Sequence, residues 1–326
     1  MVKKVLLAAP RGYCAGVDRA VEVVRRALAH FGSPIYVRKQ IVHDVHNVHV
    51  VSELEREGAV FVDSERDVPH GETLIFSAHG VSPAVRAGAE GRELRVIDAT
   101  CPLVTKVHSE ATRFARAGYR IVLIGHAGHE EVEGTLGEAP DATVLVETVA
   151  DAETLQFADA DKLAYLTQTT LSVDDTRQII DVLKRRFPRI VGPAREDICY
   201  ATSNRQRAVK ELAQRTSLVL VVGSANSSNS LRLVETVRAS GAESFLIEDE
   251  MAIDPDWLED VDTVGVTAGT SAPERLVQRV CAWLCEGTAA EVEELATSRE
   301  TVTFAQPHEL RHAKPSSDQK PTATAA

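Results

Sequence analysis

Short apolar runs alternate with amphipathic segments along most of the chain. Apolar runs of roughly four to eight residues predict buried strands, and segments with apolar positions three and four residues apart predict helices. The predicted strands are 4–8, 35–38, 59–62, 74–77, 95–98, 120–124, 143–146, 163–167, 218–222, 244–247 and 263–266. Strands that alternate with helices in this way are typical of parallel sheets, so we predict an α/β fold.

Helix boundaries are marked by turn and capping residues. Gly32 supplies the stop signal for a helix at 16–31. One face of this helix carries Val17, Ala20, Val21, Val24, Leu28 and Phe31. Ser172 and Asp175 begin another helix as a pair that resembles a capping box, and Pro188 ends it. The last predicted helix covers roughly residues 273–286.

Three cysteines divide the chain into parts of about the size of a small α/β domain. We predict a first domain at 14–99, a second at 100–197, and a third built from 1–13 together with 198–290. Residues 291–326 are predicted as a C-terminal extension. Its distal part is rich in Pro, Ser and Thr without periodicity, and we expect it to be disordered.

Composition narrows the class of protein. The chain has 326 residues, of which 44% are hydrophobic and 26% charged, as in soluble globular proteins. A net charge of −12 argues against nucleic-acid or anionic-membrane partners. The apolar runs are far shorter than the roughly 20 residues of a membrane helix. Five scattered cysteines fit a reducing compartment better than a disulfide scaffold, so we expect a cytoplasmic protein.

Cys14, Cys101 and Cys199 each lie in a polar loop that follows an apolar run. A single free cysteine is usually a small core residue, but three in equivalent settings at strand ends can converge on one centre. Zinc sites favour closely spaced ligand pairs, which these loops lack. Three thiolates suit a 4Fe-4S cluster that leaves one iron open. Cys281 and Cys285, on one face of the last helix, are assigned to packing.

A second set of polar loops follows predicted strands. These loops are SAHGVSP, IGHAGHEEVEG, TQTTLS, GSANSSNS and TAGTSAP. Hydroxyls, amides and helix N-terminal N–H groups can together bind a phosphate or diphosphate without lysines. In any one loop, Ser and Asn are more often simple helix caps. The recurrence of such residues across these loops favours an anion pocket.

Histidines and one glutamate in these loops have two interpretations each. His79 and His129 lie beside glycines at strand ends, where they can donate to an anion, although a lone histidine is more often a cap or a surface residue. Glu131 can be a proton donor if burial raises its pKa, or a first-turn acid that interacts with the helix dipole. Composition does not separate these alternatives.

Eight segments of the chain, which contain the three cysteines and the polar loops, resemble in sequence and in order the motifs of the LytB-type 4-hydroxy-3-methylbut-2-enyl diphosphate reductases. They are PRGYCAGVDRA, FSAHGVS, DATCPLVTKVH, IGHAGHEEVEG, TQTTLSVDDT, DICYATSNRQ, VVGSANSSNS and VTAGTSAP. The resemblance implies a cloverleaf of three α/β domains around a central 4Fe-4S cluster held by Cys14, Cys101 and Cys199. It also implies the last step of the methylerythritol phosphate route, with electrons from a ferredoxin or flavodoxin. In that step an allylic diphosphate loses its hydroxyl to give isopentenyl and dimethylallyl diphosphates.

The resemblance also implies roles for individual residues. Glu131 would supply protons with help from Thr169. The residues that would bind the diphosphate are His79, His129, Ser227, Ser228, Asn229 and Ser271.

The chain departs from the family at one further substrate histidine. It reads VRKQIVHDVHNVHVVSEL, with a doubled histidine motif and three apparent extra residues. Counting from VRKQ selects His43, whereas counting back from the following helix selects His46. We assign His43 because the upstream strand is the more rigid anchor.

Two other functions fit a cluster with an open iron. A non-redox dehydratase of a small phosphorylated alcohol would remove hydroxide without electrons. A cluster-based sensor would bind a partner and need no polar pocket, so the acidic charge and the polar loops argue against it.

Overall fold

The computed structural model describes residues 2–41, 48–157, 161–287 and 289–310, and within them it is built of parallel strands and helices. The strands are β1 Lys4–Ala9, β2 Ile35–Arg38, β3 Ala59–Val62, β4 Thr73–Phe76, β5 Arg95–Asp98, β6 Arg120–Ile124, β7 Thr143–Val146, β8 Leu163–Thr167, β9 Leu218–Val222, β10 Glu243–Ile247, β11 Thr263–Ala268 and β12 Glu291–Ala296. The α-helices are α1 Ala15–Phe31, α2 Val48–Glu57, α3 Pro83–Glu90, α4 Pro102–Arg116, α5 Glu130–Glu138, α6 Val149–Thr154, α7 Val173–Arg186, α8 Tyr200–Ala213, α9 Ser228–Ala239 and α10 Glu274–Cys285.

The strands of the described residues form three parallel sheets. Their orders are β3-β2-β4-β5, β7-β6-β8 and β10-β9-β11-β1-β12. In the largest sheet β1 lies between β11 and β12, with Val5 opposite Val264 and Val292. The prediction of an α/β fold with parallel strands is confirmed, and every strand predicted from the sequence is present within two residues of its predicted bounds.

Each sheet takes its strands from one of the three predicted domains, with β12 as an addition. This strand lies in the segment predicted as an extension, and it pairs with β1 from Lys4 to Ala9. Its alternation of exposed and half-buried positions is that of an edge strand. The domain boundaries stay a prediction. The distal extension predicted to be disordered, from residue 311 onward, lies outside the described residues.

Burial explains why these segments form strands. The five residues of β9, LVLVV, are all buried because helices cover both faces of a parallel sheet.

Helix α1 ends where Gly32, at a φ of 77°, donates its N–H to the Leu28 carbonyl. In the described residues no helix is both long and apolar enough to cross a membrane.

Several loops that follow strands in different sheets meet at one cavity. The loops after β1, β4, β6, β9 and β11 all contribute residues to a single cavity between the three sheets. Ligands of open parallel sheets bind beyond the carboxyl ends of the strands, where such loops meet. The topology therefore places the polar loops of all three units around a common centre.

Candidate active site

Cys14, Cys101 and Cys199 occupy the N-cap positions of α1, α4 and α8 and line one cavity. Cys14 and Cys101 follow β1 and β5. Cys199 follows an irregular segment with a single parallel bridge between Ala164 and Val191, so it does not follow a strand as expected. All three are half-buried and carry free thiols.

A glycine brings two of these sulfurs together. A Cβ atom added at Gly16 would lie 2.9 Å from the Sγ of Cys101 and 3.7 Å from that of Cys14. Any larger residue at position 16 would therefore crowd the Cys101 sulfur and contact that of Cys14. The third sulfur, Cys199 Sγ, accepts the Thr202 N–H at 3.4 Å and lies 3.2 Å from the Thr202 hydroxyl.

Burial disfavours the charged form of two of these thiols. It raises the pKa of Cys101 to about 12 and that of Cys199 to about 11, although nearby N–H groups act in the opposite direction. Neighbouring thiolates in this cavity consequently require positive charge, which metal ions supply. Three widely separated cysteines with soft sulfur donors suit an iron-sulfur cluster. Among the described residues, no three His, Cys, Asp or Glu side chains are grouped so as to hold a metal ion.

The cavity is lined by side chains from all three units of the fold. It brings together all but one of the site residues predicted from the sequence. These are Cys14, His79, Cys101, His129, Glu131, Thr169, Cys199, Ser227, Ser228, Asn229 and Ser271. The remaining one, His43, and its alternative His46 lie outside the described residues.

Helix N-termini give the cavity a positive potential. Besides the three cysteine-capped helices, α5 begins after His129 and α9 begins after Ser227, and both caps line the cavity. Each N-terminus carries a partial positive charge and unpaired N–H groups. No lysine or arginine is present among the described residues that line the cavity. An anion would therefore be bound by neutral donors and helix ends.

The two cavity histidines lie against each other with ring centroids 5.8 Å apart. His129 Nδ1 accepts the Glu131 N–H at 3.1 Å, so in the neutral ring the proton is on Nε2. Burial lowers the pKa of His129 to about 3, with His79 and His126 contributing. His79 Nδ1 lies 3.4 Å from the Glu130 carboxylate and from the Ser77 hydroxyl. His129 is therefore a neutral donor rather than a fixed cation.

Glu131 is buried in the first turn of α5, where Thr169 holds both of its oxygens. The Thr169 N–H donates to Oε1 at 2.6 Å and the Thr169 hydroxyl donates to Oε2 at 3.0 Å. Burial raises the pKa of Glu131 to about 7 despite these two bonds. Near neutral pH the carboxyl group can both hold and release a proton.

Hydrogen bonds fix the amide and hydroxyl groups of α9. The Asn229 Oδ1 accepts the Thr270 N–H at 3.0 Å, and its Nδ2 donates to the Thr202 hydroxyl at 3.5 Å. Ser227 caps α9 by accepting the Ser230 N–H, as the alternative interpretation of these serines expects, and it lines the cavity as well. Capping and cavity lining are therefore compatible in this loop.

The segment after β12, for which the sequence analysis predicts no role, reaches the cavity. Phe304 lines the cavity, and the carboxylate of Glu300 accepts from the side chains of Asn204 and Arg205 at 3.0 Å. Leu310 is fully buried in the core of the first unit. The signal for this segment in the sequence was weak: one aromatic and one leucine in a polar stretch.

Known sequences match this chain along nearly its whole length. The family model described as LytB protein matches residues 5–285. A 4-hydroxy-3-methylbut-2-enyl diphosphate reductase of Leifsonia xyli subsp. xyli (strain CTCB07) is 57% identical over 310 residues, which are 95% of this chain and 91% of that protein. One from Mycolicibacterium paratuberculosis (strain ATCC BAA-968 / K-10) is 57% identical over 313 residues, with 96% and 93% covered.

Two solved structures share the fold. The E-1-hydroxy-2-methyl-but-2-enyl-4-diphosphate reductase from Plasmodium falciparum is 39% identical with a TM-score of 0.92, and the match covers 96% of this chain and 98% of that one. A second structure is titled (E)-4-hydroxy-3-methyl-but-2-enyl diphosphate reductase, the terminal enzyme of the non-mevalonate pathway. It is 30% identical with a TM-score of 0.62, covering 88% of this chain and 100% of that one.

Proposed function

This chain belongs to the LytB protein family, and from that premise we propose that it reduces (E)-4-hydroxy-3-methylbut-2-enyl diphosphate to isopentenyl and dimethylallyl diphosphates. The allylic C–O bond breaks, and the hydroxyl leaves as water after taking up one proton. The carbon skeleton takes up two electrons and a second proton. The observation that carries this proposal is the presence of three cysteines, a proton-holding carboxyl group and neutral anion donors in one cavity.

Cys14, Cys101 and Cys199 are proposed to hold a 4Fe-4S cluster. When bound, such a cluster supplies electrons and a Lewis-acidic iron that has no protein thiolate. The protein's part is to hold the three sulfurs at one cavity, which the close approach at Gly16 and the hydrogen bonds of Thr202 support.

The diphosphate is proposed to bind among His79, His129, Ser227, Ser228, Asn229 and Ser271, with His43 as a further substrate histidine. The Nε2–H of neutral His129 is a donor, and the helix ends of α5 and α9 add positive partial charge. Neutral donors bind a diphosphate less tightly than lysine or arginine would, which favours release of the diphosphate product.

Glu131 is proposed to supply the protons. Its raised pKa keeps a substantial fraction protonated at neutral pH, and Thr169 fixes the orientation of the carboxyl group. A structural first-turn acid would instead be exposed and ionised. The burial of Glu131, at 2% exposure, favours the catalytic role.

The reduction needs an external source of electrons. We infer a ferredoxin or flavodoxin as the donor and a cytoplasmic location, because such one-electron carriers match a cluster and free thiols persist in reducing compartments.

Iron and sulfide analysis of anaerobically purified protein, together with its absorption spectrum, tests the cofactor. The proposal expects brown protein with a cluster that is lost in Cys101→Ser and retained in Cys281→Ser, a matched cysteine outside the cavity. Protein that stays colourless after anaerobic reconstitution would contradict it, as would a cluster that Cys101→Ser leaves unaltered.

A further inference from the structure

Each cysteine-capped helix carries one cation five or six residues after its cysteine. These cations are Arg19 on α1, Lys106 on α4 and Arg205 on α8. None of them lines the cavity, and none belongs to the residues discussed so far as ligands or substrate donors. All three donate to the backbone of another cysteine's loop.

Arg19, on the helix of Cys14, binds the loop that precedes Cys101. Its Nη1 donates to the carbonyls of Ala99 at 3.0 Å and Thr100 at 3.1 Å. Its Nη2 lies 3.5 Å from the carbonyl of Asp98. Arg19 is buried, with 9% of its surface exposed, so these bonds are made largely out of water.

Lys106, on the helix of Cys101, binds the loop that precedes Cys199. Its Nζ donates to the carbonyl of Arg195, to that of Glu196 at 3.4 Å and to the carboxylate of Asp197 at 2.6 Å. The Asp197 side chain is fully buried and also accepts the Thr167 N–H at 2.9 Å.

Arg205, on the helix of Cys199, binds the loop that precedes Cys14. It is fully buried and donates to the carbonyl of Gly12 at 2.8 Å and to those of Arg11 and Tyr13 at 3.4 Å. Gly12 has a φ of 63°, a conformation that orients its carbonyl and that few other residues adopt.

The three contacts close a circle. The helix of Cys14 holds the loop of Cys101, the helix of Cys101 holds the loop of Cys199, and the helix of Cys199 holds the loop of Cys14. The carbonyls bound are those one to four residues before the next cysteine in every case. The three units share no readable sequence repeat, so the recurrence lies in position and chemistry rather than in motif.

We propose that Arg19, Lys106 and Arg205 form a cyclic clamp, in which each cation positions the cysteine of the neighbouring unit rather than its own. This inference rests on the proposed cluster ligands. The cations bind carbonyl oxygens of the three cysteine loops, and they tie the three units together at the shared centre. They are positioning residues, since they act through the cysteine loops.

The clamp predicts a displaced pattern of cysteine reactivity: loss of each cation should expose the cysteine of the neighbouring unit and not the cysteine of its own helix. One portion of the anaerobically reconstituted full chain is assayed for its cluster, and a second portion is first freed of iron with a chelator, because iron-bound sulfurs do not react with iodoacetamide. The iron-free portion is treated briefly with iodoacetamide and digested with a protease that does not cut at Lys or Arg, and alkylation of each cysteine is measured by mass spectrometry. Arg19→Met should speed alkylation of Cys101, Lys106→Met that of Cys199, and Arg205→Met that of Cys14. Each increase should be about tenfold or more, since a charge-assisted bond of ~1.5 kcal/mol or more is lost.

Matched controls separate the clamp from general loosening. Arg113→Met removes a largely exposed cation from α4 and should alter none of the three rates. Lys106→Arg keeps the donor and should restore slow alkylation of Cys199. Faster alkylation of the variant's own cysteine, or of all three equally, would overturn the proposal. Should Arg205→Met fail to fold, the other two variants still decide it.

The same experiment separates the clamp from the proposed function. If the wild-type chain binds no cluster, the proposed function fails, but the alkylation pattern can still be read on the cluster-free chain. A displaced pattern there supports the clamp by itself. An unchanged pattern in a chain that does hold a cluster overturns the clamp and leaves the cluster proposal standing.

Discussion

Two buried carboxylates lie beside the end of β8, and their surroundings differ. Asp197 accepts the Thr167 N–H, and Glu131 accepts the Thr169 N–H two residues later. Burial raises the pKa of both, to about 6 for Asp197 and about 7 for Glu131. Asp197 is paired with the Lys106 cation, whereas the Glu131 carboxylate accepts hydrogen bonds from the N–H and hydroxyl of Thr169 and has no cation in contact within the described part of the chain.

The difference shows that the residues around a buried carboxylate determine whether it is structural or able to exchange a proton. With a lysine 2.6 Å away, Asp197 is ionised at neutral pH and serves to connect α4 with the loop of Cys199. Without a cation in contact, Glu131 remains close to the midpoint of its titration. One carboxylate is therefore structural, and the other is able to exchange a proton in the cavity.

Glu131→Gln should produce the largest effect. The amide keeps the shape of the side chain but carries no transferable proton, so turnover should fall by about 100-fold or more. Iron content and spectrum should not change. Glu133→Gln, an exposed position on the same helix, is the control and should retain full turnover. Full activity in Glu131→Gln would show that Glu131 is not the proton donor.

Asp197→Asn should act on stability and cluster retention. The change removes the nearer and more buried of the two carboxylates that contact the Lys106 ammonium, Asp197 at 2.6 Å rather than Glu110 at 3.4 Å. The expected cost is about 2 kcal/mol in the free energy of unfolding, measured by denaturant titration. Asp174→Asn breaks an exposed pair with Lys210 and should cost about 0.5 kcal/mol or less. Equal losses in the two variants would show that the buried pair contributes no more to the free energy of unfolding than the exposed pair does.

The pH dependence of turnover should report Glu131. Because its pKa is raised from 4.5 to about 7 in the folded protein, the acid form is lost as the pH rises through about 7, and kcat should decline there. The same shift means that the stabilisation from the protonated carboxyl is complete below pH 4.5 and is lost as the pH rises toward 7. Glu131→Gln should flatten both profiles, and a limb at pH 7 that survives in this variant must come from another group.

Thr169→Val should have the smallest effect. It removes the hydroxyl that donates to Glu131 but keeps the N–H bond, and that hydroxyl lowers the pKa of the carboxyl. The decline of kcat should therefore move to higher pH, with a modest loss of turnover from a less fixed carboxyl group. Thr169→Ser should return the profile to that of the wild type. A shift to lower pH would mean that the hydroxyl acts in another way.

Local patterns were sufficient to predict most of the fold and of the candidate site. The apolar runs identified the first eleven strands, and the polar loops after them supplied the residues that line the cavity. This succeeded because parallel strands deliver their following loops to the same edge, so that position along a strand predicts position in space.

The features that sequence reasoning missed depend on distant contacts. Strand β12 carries three glutamates in EVEELA, a composition that disfavours strands, and its pairing with β1 makes it one. The clamp joins Arg19 to Ala99 and Arg205 to Gly12, residues that are 80 and 193 positions apart. No local pattern marks such partners, and a lone arginine on a helix is ordinarily read as surface charge.

The most direct test of the central claim is turnover of the allylic diphosphate by anaerobic, cluster-loaded protein, with and without a chemical reductant. Products and water release are followed by mass spectrometry in isotopically labelled solvent. The account predicts isopentenyl and dimethylallyl diphosphates, with one solvent-derived hydrogen on carbon, only when reductant is present. Loss of the hydroxyl without any reductant, or no conversion by protein with a full cluster, would contradict it.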